Sequence, residues 1–231
     1  MTTQASTSER PIGTRNALLG TIALTCLIVT AVWVLLLIYL ASTRGSPETA
    51  AQAVAYVANL DILFYLTYGN AAVITLSATT LFAGLYIVLR DDAPLWAAMG
   101  VAFLPVYSLL TLFSYVSQIT LVPRLVALQP ESDVLLAQMV QAWSGSAVNV
   151  LNNLGYAVLG IPSIVFGVLL ATRDISLRLS GILLALSGIA SLVGMGGIVV
   201  QNAVLSGGSV AGGLLFLAAL ILLSVVLLRE G

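Results

Sequence analysis

Long runs of uncharged residues set the first limit on what this chain can fold into. The run from Leu179 to Leu228 has 50 residues without a charged side chain, and the run from Ala17 to Ala41 has 25. A helix needs roughly 20 predominantly apolar residues to cross a bilayer. The later run is therefore long enough for two crossings. The first run exceeds the roughly 7–15 apolar residues of a cleavable signal, so it is expected to be a retained helix.

The composition excludes several classes of protein. Of the 231 residues, 60% are hydrophobic and only 7% are charged, whereas soluble domains carry about 25% charged residues. The chain has no histidine, and all eight basic residues are arginine, which excludes histidine-ligated metals and a lysine Schiff base. The net charge of −1 offers no basic surface for nucleic acid. We expect no metal or cofactor, and we interpret the single Cys26 as a small hydrophobic residue.

The charge-free runs predict an all-α, polytopic transmembrane bundle of six helices. Ser206-Gly207-Gly208-Ser209 is predicted to divide the last run into two spans, because glycine and serine clusters favour turns. We place the spans at residues 17–41, 62–89, 95–122, 147–171, 178–203 and 209–228, after a cytoplasmic tail of residues 1–16.

Two short amphipathic helices are predicted between spans, at residues 47–59 and 131–143. Ser46-Pro47-Glu48 is typical of a helix start, with serine as N-cap, proline in the first turn and an acid near the positive helix end. Pro130-Glu131-Ser132-Asp133 is expected to open the second short helix. Both are expected to lie at the outer membrane interface.

The arginines predict the orientation, because cytoplasmic loops carry an excess of basic residues. With the N-terminus inside, the outer side holds only Arg44 and Arg124. The inner side then holds the other six: Arg10, Arg15, Arg90, Arg173, Arg178 and Arg229. Both termini are therefore expected in the cytoplasm and both short helices outside.

A shift of 83 residues aligns several features of the two halves. Pro47-Glu48 falls on Pro130-Glu131, and Arg90-Asp91 falls on Arg173-Asp174; the same shift pairs Asn70 with Asn153 and Gly84 with Gly167. Two interpretations are open. The chain contains a parallel duplication, as transporters often do, or caps and stop signals simply recur wherever helices begin and end.

Polar side chains gather at the outer ends of the predicted spans. Asn149, Asn152, Asn153 and Tyr156 lie at helical positions i, i+3, i+4 and i+7, so they share one face. Asp61 is expected to cap the second span at the interface and to pair with Arg44 or Arg124. The candidate ligand-binding residues are Asp61, Tyr65, Tyr68, Tyr115, Gln118, Asn149, Asn152, Asn153, Tyr156 and Gln201. They either line an outward-facing pocket or hydrogen-bond helix to helix, at about 0.6 kcal/mol each.

The fifth span is rich in small residues. They are Gly181, Ser187, Gly188, Ser191, Gly194, Gly196 and Gly197. Small residues let helix backbones approach closely, which predicts a central, tightly packed helix. The alternative is a hinge or broken helix at residues 194–197 that exposes backbone to a ligand.

Two segments carry a resemblance to a known family. Leu85-Tyr86-Ile87-Val88-Leu89-Arg90 closes the second span, and Leu179-Ser180-Gly181-Ile182-Leu183-Leu184 opens the fifth. With these segments the whole chain resembles a family of uncharacterised six-span bacterial membrane proteins, a domain of unknown function. That family tends to have proline before the arginine that precedes the second segment, where this chain has Leu177. The resemblance implies the fold and a plasma-membrane location, and no activity.

Three functions follow as hypotheses. The first is a non-enzymatic membrane protein that binds a lipid-like or small amphipathic ligand, or that serves another membrane protein as an accessory subunit. The second is a small transporter or channel with an outward-facing polar pocket. The third, an intramembrane enzyme, is disfavoured because the sequence shows no catalytic or metal-ligand constellation.

Overall fold

The computed structural model describes residues 12–230, with side chains from residue 16 onward, and this part of the chain contains helices and no strand. Most of the predicted tail at residues 1–16 therefore lies outside the described residues. The helices are α1 Ile12–Arg44, α2 Ala50–Tyr56, α3 Ile62–Leu89, α4 Pro94–Ala102, α5 Leu104–Val126, α6 Asp133–Met139, α7 Ala147–Arg173, α8 Arg178–Val199, α9 Ala203–Ser206 and α10 Gly208–Glu230. Six segments in this range are long and apolar enough to cross a membrane. The predicted all-α, six-span bundle is confirmed.

The six crossings form a closed ring. Helix α1 packs against α3 and α10, and contacts between α3 and α5, α5 and α7, α7 and α8, and α8 and α10 complete it. Each crossing reverses the chain direction, so α2, α6 and α9 connect spans at the same end of the bundle. We call this the α2 end. The opposite end, where α1 begins and α10 finishes, is the terminal end.

Two apolar clusters fill the ring. The cluster towards the terminal end joins α3, α7 and α10 through residues such as Phe82, Phe166 and Leu223. Cys26 is fully buried in this cluster, so its interpretation as a small hydrophobic residue is confirmed. The cluster at the α2 end joins the short helices to the spans, with Val57 beside α2 and Leu136 in α6 packed with side chains of α3 and α5. One face of each short helix is therefore buried against the bundle, while Val134 and Leu135 of α6 are exposed.

Both short helices begin later than predicted. Thr49, and not Ser46, caps α2: its side chain accepts from the Gln52 N–H at 3.2 Å, and Gln52 Oε1 accepts from the Thr49 N–H at 3.2 Å. This reciprocal capping box satisfies two amides that a helix start leaves free. Helix α6 begins at Asp133, and its N-cap Ser132 instead donates to the Leu125 carbonyl at 2.6 Å. Both prolines therefore precede the short helices.

The third span is interrupted, which the sequence analysis missed. Helix α4 ends at Ala102 and α5 begins at Leu104, with Phe103 between them. Pro105 lies in the first turn of α5. Proline has no N–H and clashes with the carbonyl four residues earlier, so it is favoured in the first turn of a helix and costly further along.

The turn between the last two spans is also different from the prediction. Helix α8 ends at Val199, and Gln201 takes a left-handed conformation with φ of 53°. Asn202 then caps α9, and its Oδ1 accepts from the N–H groups of Val204 and Leu205 at 3.0 and 3.1 Å. Gly207 has helical backbone angles, so residues 200–202, and not 206–209, reverse the chain.

Helix α8 is continuous through residues 194–197, so the broken-helix alternative is wrong. Four of its five glycines, Gly181, Gly188, Gly194 and Gly197, face neighbouring backbone. A Cβ on Gly160 of α7 would lie 2.7 Å from the Gly188 carbonyl oxygen, and one on Gly167 would lie 2.6 Å from that of Gly181. The predicted close packing of this helix is confirmed.

The 83-residue shift matches the helix layout. Helices α2 and α6 are offset by 83 residues at both their first and last residues (50 to 133 and 56 to 139). Their C-caps, Val57 and Val140, are both fully buried. A unit of span, short helix and span is therefore repeated in the fold, and α2 contacts α6 directly.

Candidate functional site

Arg44, the last residue of α1, joins three elements at the α2 end. Its Nη2 lies 2.9 Å from Asp61 Oδ2, and its Nη1 donates to the Tyr56 carbonyl oxygen at 3.0 Å. One guanidinium therefore ties the end of α1 to the last residue of α2 and to the start of α3. Of the two predicted partners for Asp61, the structure shows Arg44.

Asp61 caps α3, as predicted. Its Oδ1 accepts from the Phe64 N–H at 2.9 Å, and this bond, together with the contact to Arg44, lowers the pKa of the carboxyl group. The side chain remains 52% exposed. Asp61 is thus a fixed negative charge at neutral pH that is still open to solvent.

Aromatic rings flank the guanidinium. The Arg44 Cζ atom lies 5.7 Å from the centroid of Tyr56 and 5.8 Å from that of Phe64, within the range of cation–π attraction. Burial raises the pKa of the Tyr56 phenol to about 12, so this group is neutral at physiological pH. The rings and the ion pair together hold Arg44 in one position.

A groove of about 900 Å³ opens beside this junction. Among the described residues that line it, only Arg44 and Asp61 are charged, and their charges balance. The lining residues are Thr43, Arg44, Ser46, Pro47, Gln52, Ala55, Tyr56, Ala58, Asn59, Leu60 and Asp61.

A smaller cleft of about 160 Å³ adjoins the groove, because Ser46 and Tyr56 line both. Leu37 and Ala41 of α1 contribute apolar surface to its wall. The other lining residues are Gly45, Tyr68, Gln141, Ala142 and Asn149. Of the predicted site residues, Asp61 therefore lines the groove, and Tyr68 and Asn149 line the cleft.

The asparagines of α7 support the cleft wall. Asn149 Nδ2 donates to the Gln141 carbonyl oxygen at 2.9 Å. Asn153, one turn further on, donates its Nδ2 to the backbone oxygen and to Oδ1 of Asn149 at 2.9 and 3.0 Å. Asn153 thus fixes Asn149 without lining either cavity.

Gln118 serves helix packing. It is fully buried, its Nε2 donates to the Met139 carbonyl oxygen at 2.7 Å, and its Oε1 accepts from the Gln141 N–H at 3.1 Å. A single amide therefore fastens the end of α6 to α5.

Tyr115 and Tyr156 form a hydrogen-bonded pair between α5 and α7, with their hydroxyl oxygens 2.6 Å apart. Tyr115 is buried, and so is Asn152, whose Oδ1 accepts no hydrogen bond from the residues that the structure describes. All three line neither cavity. Tyr115 and Tyr156 therefore join helices, which is the second of the two roles considered for the polar cluster, whereas the structure gives Asn152 neither role.

Two predicted residues lie apart from the others. Tyr65 packs its ring edge-on against Phe64, with centroids 5.9 Å apart, and lines neither cavity. Gln201 is exposed in the turn between α8 and α9.

Tyr56 and Gln141 line these cavities but were not predicted from the sequence. Arg44 was used to predict the orientation and as a possible partner of Asp61, but not as a site residue, although an arginine on the arginine-poor side was a visible signal.

Comparison with known proteins gave no matching family model, no matching curated protein and no matching solved structure. The resemblance to a six-span family of unknown function stays a prediction.

Proposed function

We propose that this chain is a non-enzymatic, multi-pass protein of the bacterial plasma membrane that binds a lipid-like or small amphipathic molecule in the groove and cleft beside Arg44. The observation that supports this is the junction of a polar groove with a cleft whose α1 side is apolar, formed by Leu37 and Ala41. An amphipathic molecule presents the same two surfaces, side by side.

The depth of the two cavities fits such a ligand. The groove lies at the end of α1 and the start of α3, where a spanning helix meets the headgroup region. Leu37, in the cleft, precedes Arg44 by seven residues. At 1.5 Å per residue this places it about 10 Å deeper along the helix. A polar head at Arg44 therefore has its apolar part directed towards the hydrocarbon.

The chemistry of the groove favours binding over catalysis. A carboxylate with a lowered pKa, such as Asp61, is a weak general base, and a phenol with a raised pKa, such as Tyr56, is a weak general acid. Efficient proton-transfer groups have pKa values near the working pH. Both groups instead keep one charge state and suit recognition.

Arginine positions support an outward-facing groove. Arg90, Arg173, Arg178 and Arg229 lie at the terminal end, whereas the α2 end has Arg44 and Arg124. By the positive-inside rule the terminal end is cytoplasmic. In a Cys26→Ala background, a membrane-impermeant maleimide applied to intact cells is expected to label Leu128→Cys and to spare Asp91→Cys. The reverse pattern would show the opposite orientation.

Occlusion of the cleft tests ligand binding. Native mass spectrometry from a mild detergent is expected to show a co-purified amphipathic molecule on the wild-type chain and its loss from Ala41→Trp, which fills the cleft. Ser42→Trp is the matched control, because Ser42 is exposed on the same helix and lines neither cavity. A ligand-free wild-type chain, or equal retention by both variants, contradicts the proposed function.

A further inference from the structure

The two charges of the groove identify the polar end of its ligand. We propose that the groove binds a zwitterionic aminoalkyl phosphate, the headgroup of a lipid such as phosphatidylethanolamine, with the phosphate towards Arg44 and the ammonium towards Asp61. This rests on the proposed function, and it names the class of ligand.

The charge balance of the wall supports a zwitterion. Arg44 and Asp61 lie 2.9 Å apart, and the other lining residues are neutral. A headgroup with a net negative charge would bring that charge close to Asp61, and one with a net positive charge would bring it close to Arg44. Like charges in a partly buried site repel more strongly than in water. A headgroup with one charge of each sign meets an opposite charge at each position.

Both side chains retain hydrogen-bonding capacity. Each oxygen of Asp61 accepts one described hydrogen bond, although a carboxylate has about four lone-pair sites. Its 52% exposure leaves room for an ammonium, which has three donors. The guanidinium of Arg44 has five N–H donors, and the described contacts to Tyr56 and Asp61 use two of them. Arginine also matches the oxygen geometry of phosphate.

Uncharged polar groups complete the site. The Asn59 side chain lines the groove and makes no hydrogen bond among the described residues. The Oε1 atom of Gln52 accepts hydrogen bonds at the start of α2. Its amide nitrogen remains available as a donor. These groups suit the ester oxygens between a phosphate and a glycerol backbone.

The surroundings favour a lipid over a free aminoalkyl phosphate. The adjoining cleft has Leu37 and Ala41 on its wall, and this face of α1 is partly open, since Leu37 is 39% exposed. The acyl chains of a lipid whose headgroup is bound at Arg44 would lie along this face. A water-soluble zwitterion would leave these apolar contacts unmade.

Lipid competition tests the proposal with the full chain in a mild detergent. Native mass spectrometry would compare short-chain phosphatidylethanolamine, short-chain phosphatidylglycerol and soluble phosphoethanolamine. We expect phosphatidylethanolamine to bind at least about tenfold more tightly than phosphatidylglycerol, and phosphoethanolamine to bind far more weakly than the lipid. Asp61→Asn keeps a good N-cap residue but removes the negative charge, so it is expected to shift the preference towards phosphatidylglycerol. Asp91→Asn makes the same charge change at the terminal end and is expected to leave the preference unaltered.

The outcomes separate the two proposals. Equal or tighter binding of phosphatidylglycerol by the wild-type chain overturns the zwitterion proposal and leaves an amphipathic ligand in place. Binding of phosphoethanolamine as tight as that of the lipid overturns the lipid source. An unaltered preference in Asp61→Asn overturns the role of its charge. If the wild-type chain retains none of the lipids, the proposed function itself is overturned. The wild-type comparison needs no variant, so the proposal stays testable if Asp61→Asn fails to fold.

Discussion

Arg44 Nη2 lies 2.9 Å from Asp61 Oδ2 while its Nη1 donates to the Tyr56 carbonyl oxygen at 3.0 Å. The last carbonyls of a helix have no partner within the helix and carry partial negative charge. The guanidinium therefore satisfies one such carbonyl of α2 and also the N-cap carboxylate of α3. This single side chain therefore joins two of the helix ends that border the groove.

Replacement of Arg44 by methionine is expected to destabilise the α2 end. Hydrogen bonds to charged groups contribute about 1.5–3 kcal/mol, so the free energy of unfolding should fall by about that amount. Unfolding in mixed micelles at increasing denaturant measures it. Arg90→Met is the control, since Arg90 lies 3.7 Å from the exposed Asp91 and such pairs contribute about 0–1 kcal/mol. Equal losses in both variants would contradict the role given to Arg44.

Acid is expected to weaken the same junction. The folded pKa of Asp61 lies below its usual value, so its contribution is present above the unfolded pKa of about 4 and is lost as the pH falls through the folded pKa. The Tyr56 phenol at this junction does not titrate in this window, because its pKa is about 12. Thermal unfolding followed from pH 7 to pH 3 should show a steeper acid loss in the wild type than in Asp61→Asn. Asp91→Asn should follow the wild type.

The sequence was sufficient for the spans and for the role of Asp61. Charge-free runs locate spanning helices because a charge in hydrocarbon is costly, and an acid before an apolar run is a good N-cap. The groove was not predictable in the same way. Its shape depends on where α2 begins, and Ser46 and Thr49 are both acceptable caps by residue type. The structure selects Thr49 because Gln52 completes its capping box.

The polar cluster shows a different limit of sequence patterns. Periodicity gives the face and the depth of a residue such as Gln118, but not the neighbour that it meets. Its partners are backbone groups of Met139 and Gln141. Every residue has these backbone groups, so a sequence pattern cannot predict which of them a side chain will contact. Gln118 and Asn149 therefore looked alike in sequence, although one fastens helices and the other lines a cleft.

Gln118→Leu is expected to loosen α6. The change leaves the Met139 carbonyl and the Gln141 N–H without their side-chain partner, and an unsatisfied buried group costs about 1–3 kcal/mol. Limited proteolysis within residues 127–146 should become faster, and the free energy of unfolding should fall. Thr120→Val is the control, because Thr120 bonds only to the Val116 carbonyl of its own helix. Unaltered proteolysis in Gln118→Leu would contradict this assignment.

The Tyr115–Tyr156 pair is expected to be coupled. Each single change to phenylalanine removes one hydroxyl of the 2.6 Å contact, and the second change then has no bond left to break. A double-mutant cycle on the unfolding free energy should give a coupling of about 0.6 kcal/mol, with about 1.7 as an upper limit. The control cycle combines Tyr115→Phe with Tyr65→Phe. Its two free-energy changes should be additive, since Tyr115 and Tyr65 have no shared contact. Additivity in the first cycle would show that the pair contributes nothing.

Two glycines of α8 should respond oppositely to alanine. A Cβ on Gly188 would meet the Gly160 carbonyl carbon at 3.1 Å and Ile164 Cγ1 at 2.9 Å, whereas one on Gly196 would meet nothing within 4 Å. Gly188→Ala must push α7 away, and overpacking of this kind costs about 1–3 kcal/mol. Gly196→Ala should be neutral or stabilise the helix by up to about 1 kcal/mol, because alanine favours helices over glycine. Thermal unfolding of the two variants in one detergent measures both effects. A loss of equal size at both positions would indicate a general intolerance of α8 to substitution and would contradict the close contact between Gly160 and Gly188.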